Sequence, residues 1–267
     1  MERITADGMD YWLGGEGPAL LILHGGGASA EALLGLAGRI GAGYRVLVPN
    51  LAGYGRSAPP DPVRPALAAH AAVVRRAFEL CDGRIDLVGH SMGGFMALRA
   101  ATAAPERVRR LVAVEPMCFG SLHTGDPADA QALAEDRTAI DTLVRNVDAG
   151  DAEAGVAVFI DYWGGAPWAA LPEYVRARLL AMGPQLRREA CETSYDMTPA
   201  RAYGELGGRT LLMAGTESPL PARRIIQRLA EAMPGVEIAA IAGAGHMGVA
   251  MQPDLFAAAI RAFLLRT

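Results

Sequence analysis

The sequence predicts an α/β protein: a mostly parallel central sheet flanked by helices, with an inserted helical cap. Three observations predict it. Short apolar runs rich in Val, Ile and Leu alternate with longer helix-like segments. One such run, Ile85-Asp86-Leu87-Val88, leads through Gly89-His90-Ser91-Met92-Gly93 straight into a helix-like stretch. The alternation then lapses between about residues 117 and 202, where amphipathic segments replace buried strands.

The strand candidates are 19–23, 45–48, 85–88, 111–114, 210–214 and 236–241. Their near-continuous apolar content suits strands covered on both faces, as in a parallel sheet. Residues 30–40, 66–81, 92–104, 222–232 and 253–265 read as the intervening helices, joined to the strands by right-handed crossovers. Segments 129–147 and 172–191 read as cap helices. The same region gathers the aromatics Phe119, Phe159, Tyr162, Trp163, Trp168, Tyr174 and Tyr195. The expected division is a core of residues 1–116 and 203–267 and a cap of residues 117–202.

Composition narrows the function. The chain has 267 residues, 51% hydrophobic and 20% charged, which suits one large core plus an insertion. A net charge of −4 carries no nucleic-acid footprint. All 25 basic residues are arginine, which excludes a P-loop lysine and a pyridoxal-phosphate Schiff base within the chain. Cys81, Cys118 and Cys191 are widely spaced and odd in number, so they suggest free thiols in a reducing compartment. The first eight residues lack the apolar segment of a secretory signal, and no apolar run reaches the roughly 18 residues of a membrane span. A soluble, cytoplasmic protein with no membrane partner is expected. The histidines are dispersed without an HExxH or Cys/His cluster, and no GxGxxG stands in a strand–helix context. No metal and no other cofactor is expected.

The chemistry centres on Ser91. A strand, a sharp Gly-x-Ser-x-Gly turn and a helix form a nucleophile elbow that lifts the serine hydroxyl above the sheet. The helix behind it aims free N–H groups and a positive dipole end at the site. Leu23-His24-Gly25-Gly26-Gly27 follows the first strong strand and has the form of a loop supplying half an oxyanion hole. The expected donors are the backbone N–H groups of Gly26 and Met92, with His24 bracing the loop. His246, in Ala242-Gly243-Ala244-Gly245-His246-Met247 after the last strand, lies where open α/β sheets carry their sites. It is the candidate general base for Ser91. His90 adjoins the serine but should leave the elbow in another direction. His70 falls on a helix and His123 in the cap.

With these motifs in place, the chain resembles the α/β-hydrolase superfamily, of the capped esterase and lactonase-like type. His24-Gly25-Gly26-Gly27, Gly53-Tyr54-Gly55-Arg56-Ser57, Gly89-His90-Ser91-Met92-Gly93 and Gly243-Ala244-Gly245-His246 occur in the family's order. The resemblance covers nearly the whole chain apart from the cap. It implies that Gly53 to Ser57 form a structural turn near the active-site mouth. It also exposes a departure. The family's acid often sits in a Gly-x-x-Asp turn after the penultimate strand, whereas Gly215-Thr216-Glu217-Ser218 places a serine there. A serine supplies no negative charge to orient His246. Glu115, ending the strand after the elbow helix, and Glu217, one residue from the family position, are the two replacements. Glu115 is favoured, because a carboxylate ending a buried strand is costly unless it has a partner, and because some relatives carry their acid after that strand.

The implied activity is a serine hydrolase cleaving a carboxylic ester or lactone of a small, apolar substrate through an acyl-enzyme on Ser91. The alternatives are a C–C bond hydrolase, a perhydrolase or an acyltransferase on the same Ser–His–acid machinery, or a non-catalytic ligand-binding protein. Epoxide hydrolases and dehalogenases of the family carry Asp where Ser91 stands. Arg223 and Arg224, after the Gly215 turn, are expected at the surface.

Overall fold

A computed structural model describes residues 1–266. Its sheet comprises β1 (Glu2–Ala6), β2 (Met9–Gly14), β3 (Ala19–Leu23), β4 (Arg45–Pro49), β5 (Ile85–His90), β6 (Val108–Val114), β7 (Thr210–Gly215) and β8 (Glu237–Ile241). They lie in the order β1-β2-β4-β3-β5-β6-β7-β8. From β4 onward across the sheet every pairing is parallel, while β1, β2 and β4 pair antiparallel. The chain turns from β3 outward to β4 and returns to β5 on the other side, so the ends of β3 and β5 flank a topological switch point. Such a crevice at the carboxyl ends of the strands is where open α/β sheets hold ligands.

Strand alternation divides the core into two layers. Leu20 and Ile22 of β3, with Val88 and Val112, pack against α1 (Leu34–Ile40) and α10 (Pro253–Leu264). Leu21 and Leu23, with Leu87, pack against α2 (Ala66–Glu79), α3 (Met92–Ala103) and α8 (Leu220–Ala232). The central strands β3, β5 and β7 are therefore buried on both faces, which is why their runs are legible.

Between β6 and β7 stand α4 (Pro127–Asp148), α5 (Ala152–Trp163), α6 (Glu173–Ala181) and α7 (Gly183–Ser194). They hold an apolar cluster of their own, built on Ile140, Leu143, Val156, Ile160, Leu179 and Leu186. Asp126 caps α4 by accepting from the Ala128 amide at 2.8 Å. A buried ion cluster ties this insertion to the sheet layer: Asp129 on α4 accepts from Arg224 Nε at 2.7 Å and Arg228 Nε at 2.6 Å on α8. Arg224 is accordingly not the surface residue the sequence suggested; Arg223 is exposed.

Two further expectations change. The hairpin β1–β2 is an addition that the apolar-run search passed over, because an edge hairpin alternates rather than running apolar. The signal was present in Asp7-Gly8, which turns at φ 52° and 74°, the positive values that two-residue hairpin loops require. The expected single helix over 172–191 is two, separated at Met182, with Pro184 in the first turn of α7. Proline lacks the N–H to continue a helix but suits a first turn. Among the described residues no helix is long and apolar enough to cross a membrane.

Candidate active site

β5 ends at His90 and α3 begins at Met92, so the chain reverses through one residue. Ser91 adopts φ 56° and ψ −123°, a region that non-glycine residues rarely occupy. Its amide donates to Val114 O at 2.9 Å, and its carbonyl accepts from Phe95 N at 3.0 Å. The turn also demands small neighbours. A Cβ on Gly93 would lie 2.4 Å from His24 O, and one on Gly25 would lie 2.9 Å from Ser91 Cβ. Only glycine at position 25 lets the loop after β3 close over the serine.

His246 enters from the loop between β8 and α9 (Gly248–Met251). Its Nε2 stands 3.1 Å from Ser91 Oγ, and its Nδ1 stands 2.6 Å from Glu115 Oε2. Nδ1–H donates to the carboxylate, which leaves Nε2 to accept from the serine hydroxyl. Trp163 of α5 meets the imidazole edge-on at 4.8 Å between ring centroids.

Glu115 follows β6 immediately, fully buried, at φ 46°. Its Oε1 accepts from the Gly215 amide at 2.8 Å and from the Ser218 hydroxyl at 2.5 Å. Burial pushes this carboxyl up, but the hydrogen bond and charge of His246, with the Gly215 and Ser218 donors, outweigh it and hold it below the usual glutamate value. Glu217 is exposed, and among the described residues its carboxylate meets only the neighbouring Thr216 hydroxyl. The serine at the family's acid position thus carries no charge, yet it reaches the site by donating to the acid that does.

The Gly26 and Met92 amides donate to no acceptor among the described residues, and both residues line the cavity over Ser91. His24 braces this loop: Nδ1 donates to Gly25 O at 2.8 Å and Nε2 accepts from Leu51 N at 3.0 Å. Burial lowers its pKa to about 4. His90 is less remote than expected. Its ring lies 4.8 Å from that of His246, and its Nε2 donates to His246 O at 2.8 Å. Burial, then the facing His246, lowers its pKa to about 3, so it stays neutral as a brace.

The sequence reading missed a second brace. The Tyr54 hydroxyl accepts from Gly27 N at 2.9 Å and donates to Glu189 Oε2 of α7 at 2.5 Å. Glu189 Oε1 accepts in turn from His70 Nε2 at 2.9 Å and from Gln185 at 2.6 Å. The Gly53 to Ser57 turn therefore joins the glycine loop to the helical insertion. It missed Asp136 as well. That residue sits in the apolar stripe Ala132, Leu133, Ile140 and Leu143 of α4, all of them buried. A carboxylate inside such a stripe was the available signal.

The cavity over Ser91 measures about 210 Å³. Its floor is the switch point, and its roof is the insertion, with Phe119, Phe159, Ile160 and Trp163 supplying apolar wall. Tyr174 and Tyr195, also among the expected aromatics, are exposed.

Residues 20–259 match the Alpha/beta hydrolase family, and the chain belongs to that family. It is similar to an uncharacterized protein of Mycobacterium tuberculosis, 34% identical over 105 residues, which is 39% of this chain and 30% of that one. The chain thus spans about a third of that relative's length. It is 36% identical over 115 residues to the 2-hydroxy-6-oxo-6-phenylhexa-2,4-dienoate hydrolase of Comamonas testosteroni, covering 41% of this chain and 40% of that enzyme. The structure of a bromoperoxidase from Bacillus anthracis superposes with a TM-score of 0.75 at 21% identity, over 97% of this chain and 95% of that one. At that identity it shows a shared fold.

Proposed function

We propose that the chain is a serine hydrolase that cleaves a carboxylic ester or lactone of a small, apolar substrate through an acyl-enzyme on Ser91. The observation that carries this reading is the unbroken line of hydrogen bonds from Ser91 Oγ through His246 to Glu115, at 3.1 and 2.6 Å. At its serine end the Gly26 and Met92 amides line the same cavity and have no partner among the described residues.

In this reading His246 Nε2 takes the hydroxyl proton as Ser91 Oγ attacks the carbonyl carbon. Glu115, already ionised, stabilises the imidazolium that forms. The Gly26 and Met92 N–H groups meet the developing oxyanion, an interaction whose loss typically costs about a hundredfold or more in rate. The imidazolium then protonates the leaving alkoxide, and a water activated by the same histidine releases the acid and restores Ser91. Helices α4 to α7 act as the cap that sets specificity, and their apolar wall suits an apolar substrate. The partner is a small molecule.

A fluorophosphonate probe and turnover of p-nitrophenyl acetate and butyrate test this. Labelling should vanish in Ser91→Ala, and turnover should collapse in Glu115→Gln but not in Glu217→Gln. Folded wild type that neither labels nor turns over would sink the activated-serine reading. Product analysis with competing nucleophiles separates hydrolysis from acyl transfer and perhydrolysis.

A further inference from the structure

One acid in the cavity wall lacks a hydrogen-bond partner among the described residues. Asp136 lines the wall from α4, 1% exposed, one helical turn before Ile140. Neither Oδ1 nor Oδ2 meets a hydrogen-bond partner among the described residues. The Ser194 hydroxyl and the Trp163 indole lie beside the carboxyl, close enough to temper its pKa, without reaching bonding geometry. Its neighbours are already engaged. Glu189, the other acid in the wall, is held by Tyr54, His70 and Gln185, and His246 is held by Glu115. Arg137 and Asp141 of its own helix act on it through charge, and Arg178 of α6 lines the same cavity. A buried carboxyl without a partner destabilises a fold, and a leucine would fit the stripe.

We propose that Asp136, with Ser194 beside it, forms a polar subsite that receives a hydroxyl group carried by the substrate away from the scissile carbonyl, and that it selects hydroxylated esters over plain ones. The proposal deepens the hydrolase reading above and rests on it. A hydroxyl fits better than an ammonium for two reasons. The wall around it is mostly apolar, and a neutral group costs less to bring there than a charged one. Burial also raises the Asp136 carboxyl to about 7, so both its forms occur near neutrality. A hydroxyl donates to the carboxylate and accepts from the acid, whereas an ammonium serves only the carboxylate. Phe119, Phe159 and Trp163 suit an aromatic ring as the group that bears the hydroxyl.

Two matched pairs of esters test the subsite. On the acyl side they are p-nitrophenyl hydrocinnamate and its para-hydroxy analogue; on the alcohol side, phenethyl acetate and its para-hydroxy analogue. In at least one pair wild type should favour the hydroxylated ester in kcat/KM by about tenfold, the order expected when a buried polar group gains or loses its partner. In Asp136→Leu that ratio should fall to about one, and Asp136→Asn should keep part of it. The ratio is taken within each variant, so any loss of folded enzyme cancels. An unchanged ratio in Asp136→Leu, or no preference in wild type, would overturn the subsite. Calorimetry separates its failure from that of the activity. In a Ser91→Ala background, para-hydroxyphenethyl alcohol should bind more tightly than phenethyl alcohol, and Asp136→Leu should erase the difference. Such binding without ester turnover would keep the subsite and discard the hydrolase reading. Turnover without discrimination would do the reverse.

Discussion

Two buried carboxyls, Glu115 behind His246 and Asp136 in the cavity wall, are treated in opposite ways. Glu115 backs the sheet wall, where the side chains hand on their hydrogen bonds: Ser91 to His246, His246 to Glu115, with Ser218 and the Gly215 amide also donating to Glu115. Asp136 belongs to the wall made by the helical insertion and has no such partner. Burial is nearly the same, 0% and 1% exposed, yet Glu115 is held below its usual pKa and Asp136 is raised to about 7. Burial alone therefore does not decide the charge of a group; its partners do. A closed chain of partners fixes geometry for chemistry. An open valence is what a wall that reads a ligand requires.

From that contrast, the largest losses come from the sheet wall. Glu115→Gln should lower kcat by about ten-thousand-fold, since an amide in place of the orienting carboxylate favours the wrong histidine tautomer. Glu217→Gln should change it less than about twofold, as surface substitutions usually do. An equal loss in both would erase the assignment of the acid. Gly25→Ala should follow, because its methyl would press within 2.9 Å of Ser91 Cβ; a displaced glycine loop predicts a loss of about a hundredfold in kcat, read on p-nitrophenyl butyrate. Ser218→Ala removes one of three donors to Glu115 and should cost about tenfold, the low end of the scale of one hydrogen bond to a charged group.

The smallest effect is on stability, and there the two walls differ in sign. Glu115 has a lowered pKa in the folded state, so its contribution is present above its usual value of 4.5 and is lost as pH falls through the folded value. Asp136 has a raised one. Relative to an unburied carboxyl, its presence becomes costly as pH rises from its usual 3.8 and stops growing above about 7. Asp136→Asn should therefore gain thermal stability over wild type by several degrees at neutral pH and by little at pH 4, measured by melts across that range. A gap that does not widen with pH would show that Asp136 is not the uncompensated acid described here. A collapse of kcat in Asp136→Leu comparable to that of Glu115→Gln would break the division of labour between the walls.

Much of this was legible in the chain. The run at 19–23 coincides with β3, and the elbow lies where Ile85 to Gly93 place it, because a strand apolar on both faces and a turn crowded by backbone leave local signatures. The hairpin β1–β2 escaped because its strands alternate at a sheet edge. The choice between Glu115 and Glu217 rested on an argument about burial rather than on a pattern. The roles of Tyr54, Glu189 and Ser218 had no local signature at all.

The sequence by itself determined the layering of helices on a parallel sheet, the strained turn at Ser91, and the loops bearing Gly26 and His246. Each of these follows from periodicity or from a backbone that only certain residues permit. Tertiary structure decided which groups meet. Glu115 reaches Gly215 and Ser218 because Val114 pairs with Met213 in the register of β6 on β7, about a hundred residues apart. Asp136 stays open because the helices that cover it bring mostly apolar side chains, and the Ser194 hydroxyl and Trp163 indole beside it stop short of bonding geometry. Hydrogen bonds are short and directional, so they depend on where distant segments dock, and no local stretch of sequence encodes that.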